Sequence, residues 1–227
     1  MKIHRPLLLI VLAVLLAASA SSPASGAGGA GGAGGAGSTD VDGIVSMLQN
    51  KYENVITLVA DFSQVSKDAF ETRQVSEGKV YFKKPGMMKW LYFIPVRDEL
   101  VSNGSTVWFY QPDLNQVVVS PFELGASTLA TNFLSGMGDL KREFSIKLLG
   151  EGKGAYSLEL TSVEDHQGLK RLILHVDKES WLVVRTEVED HFGNRTTVSF
   201  SHMETNNPIK DTFFEFELPE GVNIVRP

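Results

Sequence analysis

Between Gly78 and Gln116 the chain reads GKVYFKKPGMMKWLYFIPVRDELVSNGSTVWFYQPDLNQ, a series of short apolar runs cut by turn signals. Lys79–Lys83 and Met87–Ile94 flank the Lys84-Pro85-Gly86 break. Asn103-Gly104 separates Glu99–Ser102 from Thr106–Gln111, and an Asn-Gly pair between apolar runs is a strong hairpin signal. Met87–Ile94 constrains the fold most. Successive strand residues point to opposite faces, and here both faces are apolar: Met88, Trp90, Tyr92 and Ile94 on one, Met87, Leu91 and Phe93 on the other, with Lys89 the exception. Such a strand must be covered on both sides.

The same reading extends along the rest of the chain. Asp40 and Asp42 can cap a first helix in which Val41, Ile44, Val45, Leu48 and Tyr52 recur at helical spacing, ending near Asn54. Strands are then expected at Ile56–Ser66, Arg73–Lys83, Met87–Ile94, Glu99–Ser102, Thr106–Gln111 and Gln116–Ser120, an antiparallel meander. Pro121 interrupts it, and over Phe122–Met137 the period changes, with Ala126, Leu129, Ala130, Phe133, Leu134 and Met137 on one helical stripe. Strand patterning resumes at Glu143–Leu149, Tyr156–Ser162, Arg171–Val176, Trp181–Asp190, Thr196–Met203 and Phe213–Glu217. Open, twisted sheets rarely exceed about ten strands without curling. The expected fold is therefore mainly β with helices (α+β): a curved antiparallel sheet forming an incomplete β-barrel, with a helical lid.

The first forty residues carry different information. Lys2 and Arg5 precede an apolar run from Leu7 to Ala18, too short to span a bilayer and of the length a secretory signal needs. Residues 1–20 are read as a signal peptide, with Ala18-Ser19-Ala20 and Ser25-Gly26-Ala27 both offering small residues for cleavage, so the cut falls between 20 and 27. No cysteine follows the run, which excludes a lipoprotein anchor, and the chain has no cysteine to form a disulfide. Residues 21–39 are an Ala/Gly/Ser-rich flexible linker. Its G-x-G-x-x-G at Gly26, Gly28 and Gly31 follows no strand and opens no helix, so it carries no dinucleotide reading. Residues 40–227 are long enough for one domain with a sizeable core. Loss of Lys2 and Arg5 leaves 19 basic residues against 27 acidic, a net charge of −8 that disfavours nucleic acid and anionic lipid surfaces.

Nothing in the sequence assembles a catalytic or metal site. His166, His175, His191 and His202 stand at no zinc-ligand spacing, and there is no G-x-S-x-G elbow or cysteine nucleophile. His175 and His202 read as strand residues with satisfied hydrogen bonds, and Glu187, Glu189 and Asp190 as a solvated acidic face. Gly150–Gly154 lacks the spacing of a phosphate loop and reads as a hairpin turn. The apolar residues pose the open choice. Phe62, Val80, Phe82, Met88, Trp90, Phe109, Leu129, Phe133, Phe200 and Phe216 can fill a core on composition alone, although two methionines beside Trp90 suit a surface that adapts to varied apolar ligands.

Several stretches resemble one family in its own order. Gly78-Lys79-Val80, Lys84-Pro85-Gly86 with Trp90, Leu100–Gly104, Val107–Tyr110 and Gln116-Val117 are similar to the periplasmic lipoprotein carrier family LolA. Asp61-Phe62-Ser63-Gln64 resembles its first-strand F-x-Q signature, and Phe214-Glu215-Phe216 with Pro219–Val222 its closing segment. The resemblance implies a non-enzymatic chaperone that needs no cofactor. Its apolar cavity, lined by the ten residues above, takes acyl chains of triacylated lipoproteins. It also implies an inner-membrane Lol ABC-type export complex as donor, an outer-membrane LolB-like acceptor, a periplasmic location and a monomer. Members often carry Arg before the Pro of the K-x-P turn, holding the lid; here that lid contact falls to Lys84, and Met88 replaces an aromatic two before Trp90. A related half-barrel could instead be an RseB-like envelope-stress sensor or a carrier of another lipid.

Overall fold

The computed structural model describes residues 40–122, 140–163 and 169–226. It opens with helix α1 (Val41–Glu53), capped by the Asp40 carboxylate, which accepts from the Asp42 N–H at 3.1 Å. The cap satisfies one of the donors a helix start leaves without an internal partner. At the other end the Asn54 N–H returns to the Asn50 and Lys51 carbonyls. Ile44, Val45, Leu48 and Tyr52 form the buried stripe.

Six strands follow: β1 (Thr57–Lys67), β2 (Arg73–Lys83), β3 (Met87–Ile94), β4 (Glu99–Asn103), β5 (Thr106–Gln111) and β6 (Gln116–Pro121). After a four-residue helix α2 (Leu140–Glu143) come β7 (Phe144–Glu151), β8 (Ala155–Ser162), β9 (Arg171–Asp177), β10 (Val183–Glu189) and β11 (Arg195–Thr205), then a single 3-10 turn at Asp211–Phe214 and β12 (Asn223–Val225). All twelve lie in one sheet ordered β12-β6-β5-β4-β3-β2-β1-β11-β10-β9-β8-β7. Two meanders are thus joined by the β1–β11 pairing, and the two end strands do not pair with each other.

Two expectations change at the C-terminus. Phe213–Glu217 is not a strand. Its alternation reflects side chains laid across the back of the sheet: Phe213 meets Tyr81 edge-on at 4.8 Å and lies under the Lys89 ammonium, and Phe214 is fully buried. Lys83 pins this segment through Asp211 at 2.6 Å and the Ile209 carbonyl. The chain then reaches the sheet edge at Asn223–Val225 and pairs parallel to β6, so the sheet is mixed. A crossing over the face permits that direction, whereas a tight hairpin would have enforced the antiparallel one. The signal segment, the linker and most of the expected Phe122–Met137 helix lie outside the described residues.

One glycine shapes the middle of the sheet. A Cβ at Gly78 would stand 2.0 Å from the Leu91 carbonyl oxygen and 2.8 Å from the Phe62 ring. Its absence lets β3 close onto β2 where their register shifts between Glu77 and Gly78, and gives Phe62 a floor to lie on.

Candidate functional site

Alternation along the strands divides the sheet into two faces with different partners. On one face, cross-strand register aligns Ala60, Val80, Trp90, Leu100, Phe109 and Val118 in a row running across β1 to β6. Beside it Phe200 and Phe62 are paired, with Gly78 and Tyr92 continuing the line. Phe62 sits at the centre of an aromatic group, edge-on to Trp90 at 4.8 Å and to Tyr92 at 5.0 Å, while Phe82 and Phe200 approach Trp90 at 5.9 and 6.3 Å. Edge-to-face geometry puts ring edges on ring faces, the favourable quadrupole arrangement.

The structure therefore brings together Phe62, Val80, Phe82, Met88, Trp90, Phe109 and Phe200, all buried in one cluster with the inner stripe of α1. Phe216 does not join them. It packs against Trp108 at 6.3 Å and Tyr110 at 5.7 Å, residues that alternate with Phe109 and so face the other side of the sheet. The error is one of element type: Phe216 belongs to the segment crossing the back. Leu129 and Phe133 lie outside the described residues.

Lys84 sits where β2 leaves the sheet and its ammonium donates to the Tyr52 carbonyl and, at 3.2 Å, to the Glu53 carbonyl. These are last-turn acceptors of α1, where the helix dipole is negative and a cation is favoured. Burial pulls the Lys84 pKa down from the usual lysine value, with Glu53 opposing it. Tyr52 supplies a second tie, its hydroxyl accepting the Val183 N–H of β10 at 3.2 Å. Burial raises the Tyr52 pKa well above the ordinary tyrosine value.

A polar chain at the far end of the same face went unread in the sequence. The Tyr92 hydroxyl donates to Gln64 Oε1 at 3.3 Å, Gln64 Nε2 donates to Ser66 Oγ at 3.2 Å, and Ser66 shares a hydrogen with Thr196 at 3.3 Å. All four residues are buried. The signal was present in Phe62-Ser63-Gln64-Val65-Ser66, because Gln64 and Ser66 fall on the strand face of Phe62. Burial, and then Asp98, raise the Tyr92 pKa, keeping its hydroxyl a donor.

The polar groups of the other face have structural partners. His175 Nδ1 shares a hydrogen bond with Ser157 Oγ at 3.0 Å and its Nε2 meets Glu187 at 2.9 Å, but these are three neighbouring strands in register, and Glu187 also holds Arg185 at 2.9 Å. Glu189 pairs with Lys170, and Asp190 folds into its own turn. Among the described residues no group of His, Asp or Glu is placed to hold a metal ion, and no helix is long and apolar enough to cross a membrane.

A single twelve-stranded sheet with an apolar face beneath a tethered helix places the chain among mainly β proteins, and the comparisons with known proteins give the family. Residues 53–217 match the model of the family described as outer membrane lipoprotein carrier protein LolA, and the chain belongs to it. It is 31% identical over 180 residues to the outer-membrane lipoprotein carrier protein of Methylococcus capsulatus, covering 79% of this chain and 86% of that one. The protein of the same description from Methylobacillus flagellatus is 30% identical over 190 residues, 83% and 91% of the two chains. Among solved structures, an uncharacterized conserved protein from Thermus thermophilus shares the fold with a TM-score of 0.55 at 16% identity, over 82% of this chain and 98% of that one. The family consists of carriers, not enzymes.

Proposed function

We propose that the chain carries lipoproteins through the periplasm with their acyl chains held against the apolar face built around Phe62 and Trp90. The observation that carries this reading is the gathering of seven aromatic or aliphatic residues from five strands onto one face in a member of a lipoprotein carrier family. Each methylene taken out of water gains about 0.8 kcal/mol, so one long acyl chain left in water is disfavoured by roughly 10 kcal/mol and must travel covered. Tight burial alone would trap the load. Met88 beside Trp90 supplies a flexible thioether surface, and a helix tied at one end by Lys84 can shift without unfolding the sheet.

The sheet is read as an incomplete barrel around this space, with α1 and the segment after Phe122 as its lid. The reach of α1 supports the curvature. Its C-terminus is held by Lys84 at the end of β2 and by Val183 on β10, and it also packs on β7. From β2 to β7 is six strand spacings, roughly 29 Å if flat at about 4.8 Å each, whereas thirteen helical residues span roughly 20 Å. Leu129 and Phe133 would complete the apolar lining from that lid. The clients are triacylated lipoproteins, received from an inner-membrane export complex of the ABC type and passed to an outer-membrane acceptor.

Mass spectrometry of the protein purified from its native periplasm tests the reading. Co-purifying peptides with an acylated N-terminal cysteine are expected, and their loss when Phe62 and Trp90 are both replaced by Asp in a protein that still folds. Recovery of phospholipid or glycolipid alone, equally in both proteins, would overturn it.

A further inference from the structure

Two hairpins at one end of the sheet finish in five-residue loops built alike. The β1–β2 loop is Asp68-Ala69-Phe70-Glu71-Thr72 and the β10–β11 loop is Asp190-His191-Phe192-Gly193-Asn194. In each, the aspartate Oδ1 accepts the backbone N–H of the third residue, at 2.9 Å from Phe70 and 2.8 Å from Phe192. It also accepts that of the fifth, at 2.8 Å from both Thr72 and Asn194. In each, the aspartate N–H bonds the carbonyl of the fifth residue, and the fourth residue bonds the aspartate carbonyl from the left-handed region, Glu71 at φ 61° and Gly193 at φ 87°. The third residue is phenylalanine in both, and both rings are left in water, Phe70 at 91% and Phe192 at 79% exposure. The loops are neighbours, since β1 pairs with β11 and a Cβ on Gly193 would lie 3.8 Å from that of Ala69.

Directly beneath the tips, the last rung of the sheet is a row of charge. Arg73, Lys67, Arg195, Glu189 and Arg171 stand in register on five adjacent strands, and Lys170 pairs with Glu189 at 2.7 Å. Glu71 pairs with Lys67 at 2.7 Å, while Asp68 and Asp190 spend their carboxylates inside the loops. Arg195 also reaches Glu189 at 3.8 Å and Arg171 pairs with Glu159, so cations and carboxylates nearly balance at this end, in a chain whose formal net charge is −6.

We propose that these paired tips are a membrane-contact site, at which Phe70 and Phe192 enter the headgroup region of a phospholipid bilayer while the charge-balanced rung below lets this end of an acidic chain approach the surface. Phenylalanine on an exposed amphipathic surface buries into the boundary of headgroups and acyl chains, and basic residues near an anionic surface add attraction. A protein partner fits less well, because aromatic anchors between proteins sit in pockets within a broad, well-packed patch, whereas these rings project singly from convex turns. The matched hydrogen bonds fix both loops beforehand, so contact orders little backbone. Two rings and a few charges give a weak, reversible touch, and the acidic body is repelled from the same surface.

The chain has no cysteine, so a single introduced thiol can carry an environment-sensitive fluorophore. Phe70→Cys, Phe192→Cys and, at the opposite end of the sheet, Leu149→Cys are labelled in the processed protein and mixed with vesicles of phosphatidylethanolamine and phosphatidylglycerol. Emission at 70 and 192 is expected to shift to the blue while 149 stays unchanged. The fraction of unlabelled Phe70→Ser/Phe192→Ser protein floating with vesicles should fall about tenfold. Lys67→Glu/Arg195→Glu should weaken binding to these vesicles more than to vesicles of phosphatidylcholine alone. No shift at 70 and 192, an equal shift at 149, or a shift that requires vesicles bearing membrane proteins would overturn the proposal. No cargo is added, so the outcome is independent of how acyl chains are carried.

Discussion

Replacing Lys84 by Leu should loosen α1 without unfolding the sheet. Two hydrogen bonds are lost, from the ammonium to the carbonyls of Tyr52 and Glu53. A hydrogen bond to a charged group contributes about 1.5–3 kcal/mol when well shielded, and a cation at a helix C-terminus about 0.3–1 kcal/mol. Lys84 is only half-buried, so competition from water brings the sum down to about 2 kcal/mol. Against it stand the four buried side chains Ile44, Val45, Leu48 and Tyr52, each worth roughly 1.5–3 kcal/mol. The helix therefore stays docked but opens more often. Hydrogen exchange should report this as a rise of about 30-fold in the rates of α1 amides, since 1.36 kcal/mol is a factor of ten, with β1, β2 and β11 nearly unchanged. Lys84→Arg keeps the charge and offers a planar fork to the same carbonyls, so its α1 rates should stay near wild type. Equal α1 exchange in all three proteins would refute the idea that Lys84 tethers the helix.

Gly78→Ala must push a methyl into the Leu91 carbonyl; a loss of at least about 3 kcal/mol is expected in a denaturant titration, and a midpoint within error of wild type would contradict the close packing. In variants retaining one tryptophan, Trp90 emission should respond to an acylated peptide while Trp108, stacked under Phe216 on the other face, should not; the reverse pattern would put the ligand behind the sheet. The raised pKa values of Tyr52 and Tyr92 favour the neutral phenols in the folded state, so their stability is complete below the free tyrosine value near 10 and falls as pH rises beyond it. Tyr52→Phe/Tyr92→Phe should flatten that alkaline decline, and an unchanged slope above pH about 10 would reject the assignment.

What the sequence revealed, and what it hid, follows from how far each signal reaches. Alternation and turn chemistry are local, and β1 to β6 stand within a residue or two of the expected ranges because Lys84-Pro85-Gly86 and Asn103-Gly104 punctuate them. Asp40 marked the start of α1 for the same reason. The alternation in Phe213–Glu217 could not distinguish a strand from a segment packed across a sheet, because both present every second side chain to apolar surface. That ambiguity misplaced Phe216 and hid the parallel β12. The seven gathered residues were readable as one apolar face, and composition alone leaves core and ligand surface both open. Gln64, Ser66, Tyr92 and Thr196 were missed because they come from three strands far apart in sequence, and only the β1–β11, β1–β2 and β2–β3 registers bring them together.

The most direct test of acyl-chain carriage places a photo-crosslinking residue at Trp90 on the apolar face or at Trp108 on the opposite one, in cells producing the full chain. Irradiation is followed by mass spectrometry of the adducts. Adducts with acylated lipoprotein N-termini at position 90 and none at 108 are predicted. Adducts confined to 108, or position 90 crosslinked only to residues of the chain itself while lipoproteins are in transit, would contradict carriage on the face that Phe62 and Trp90 define.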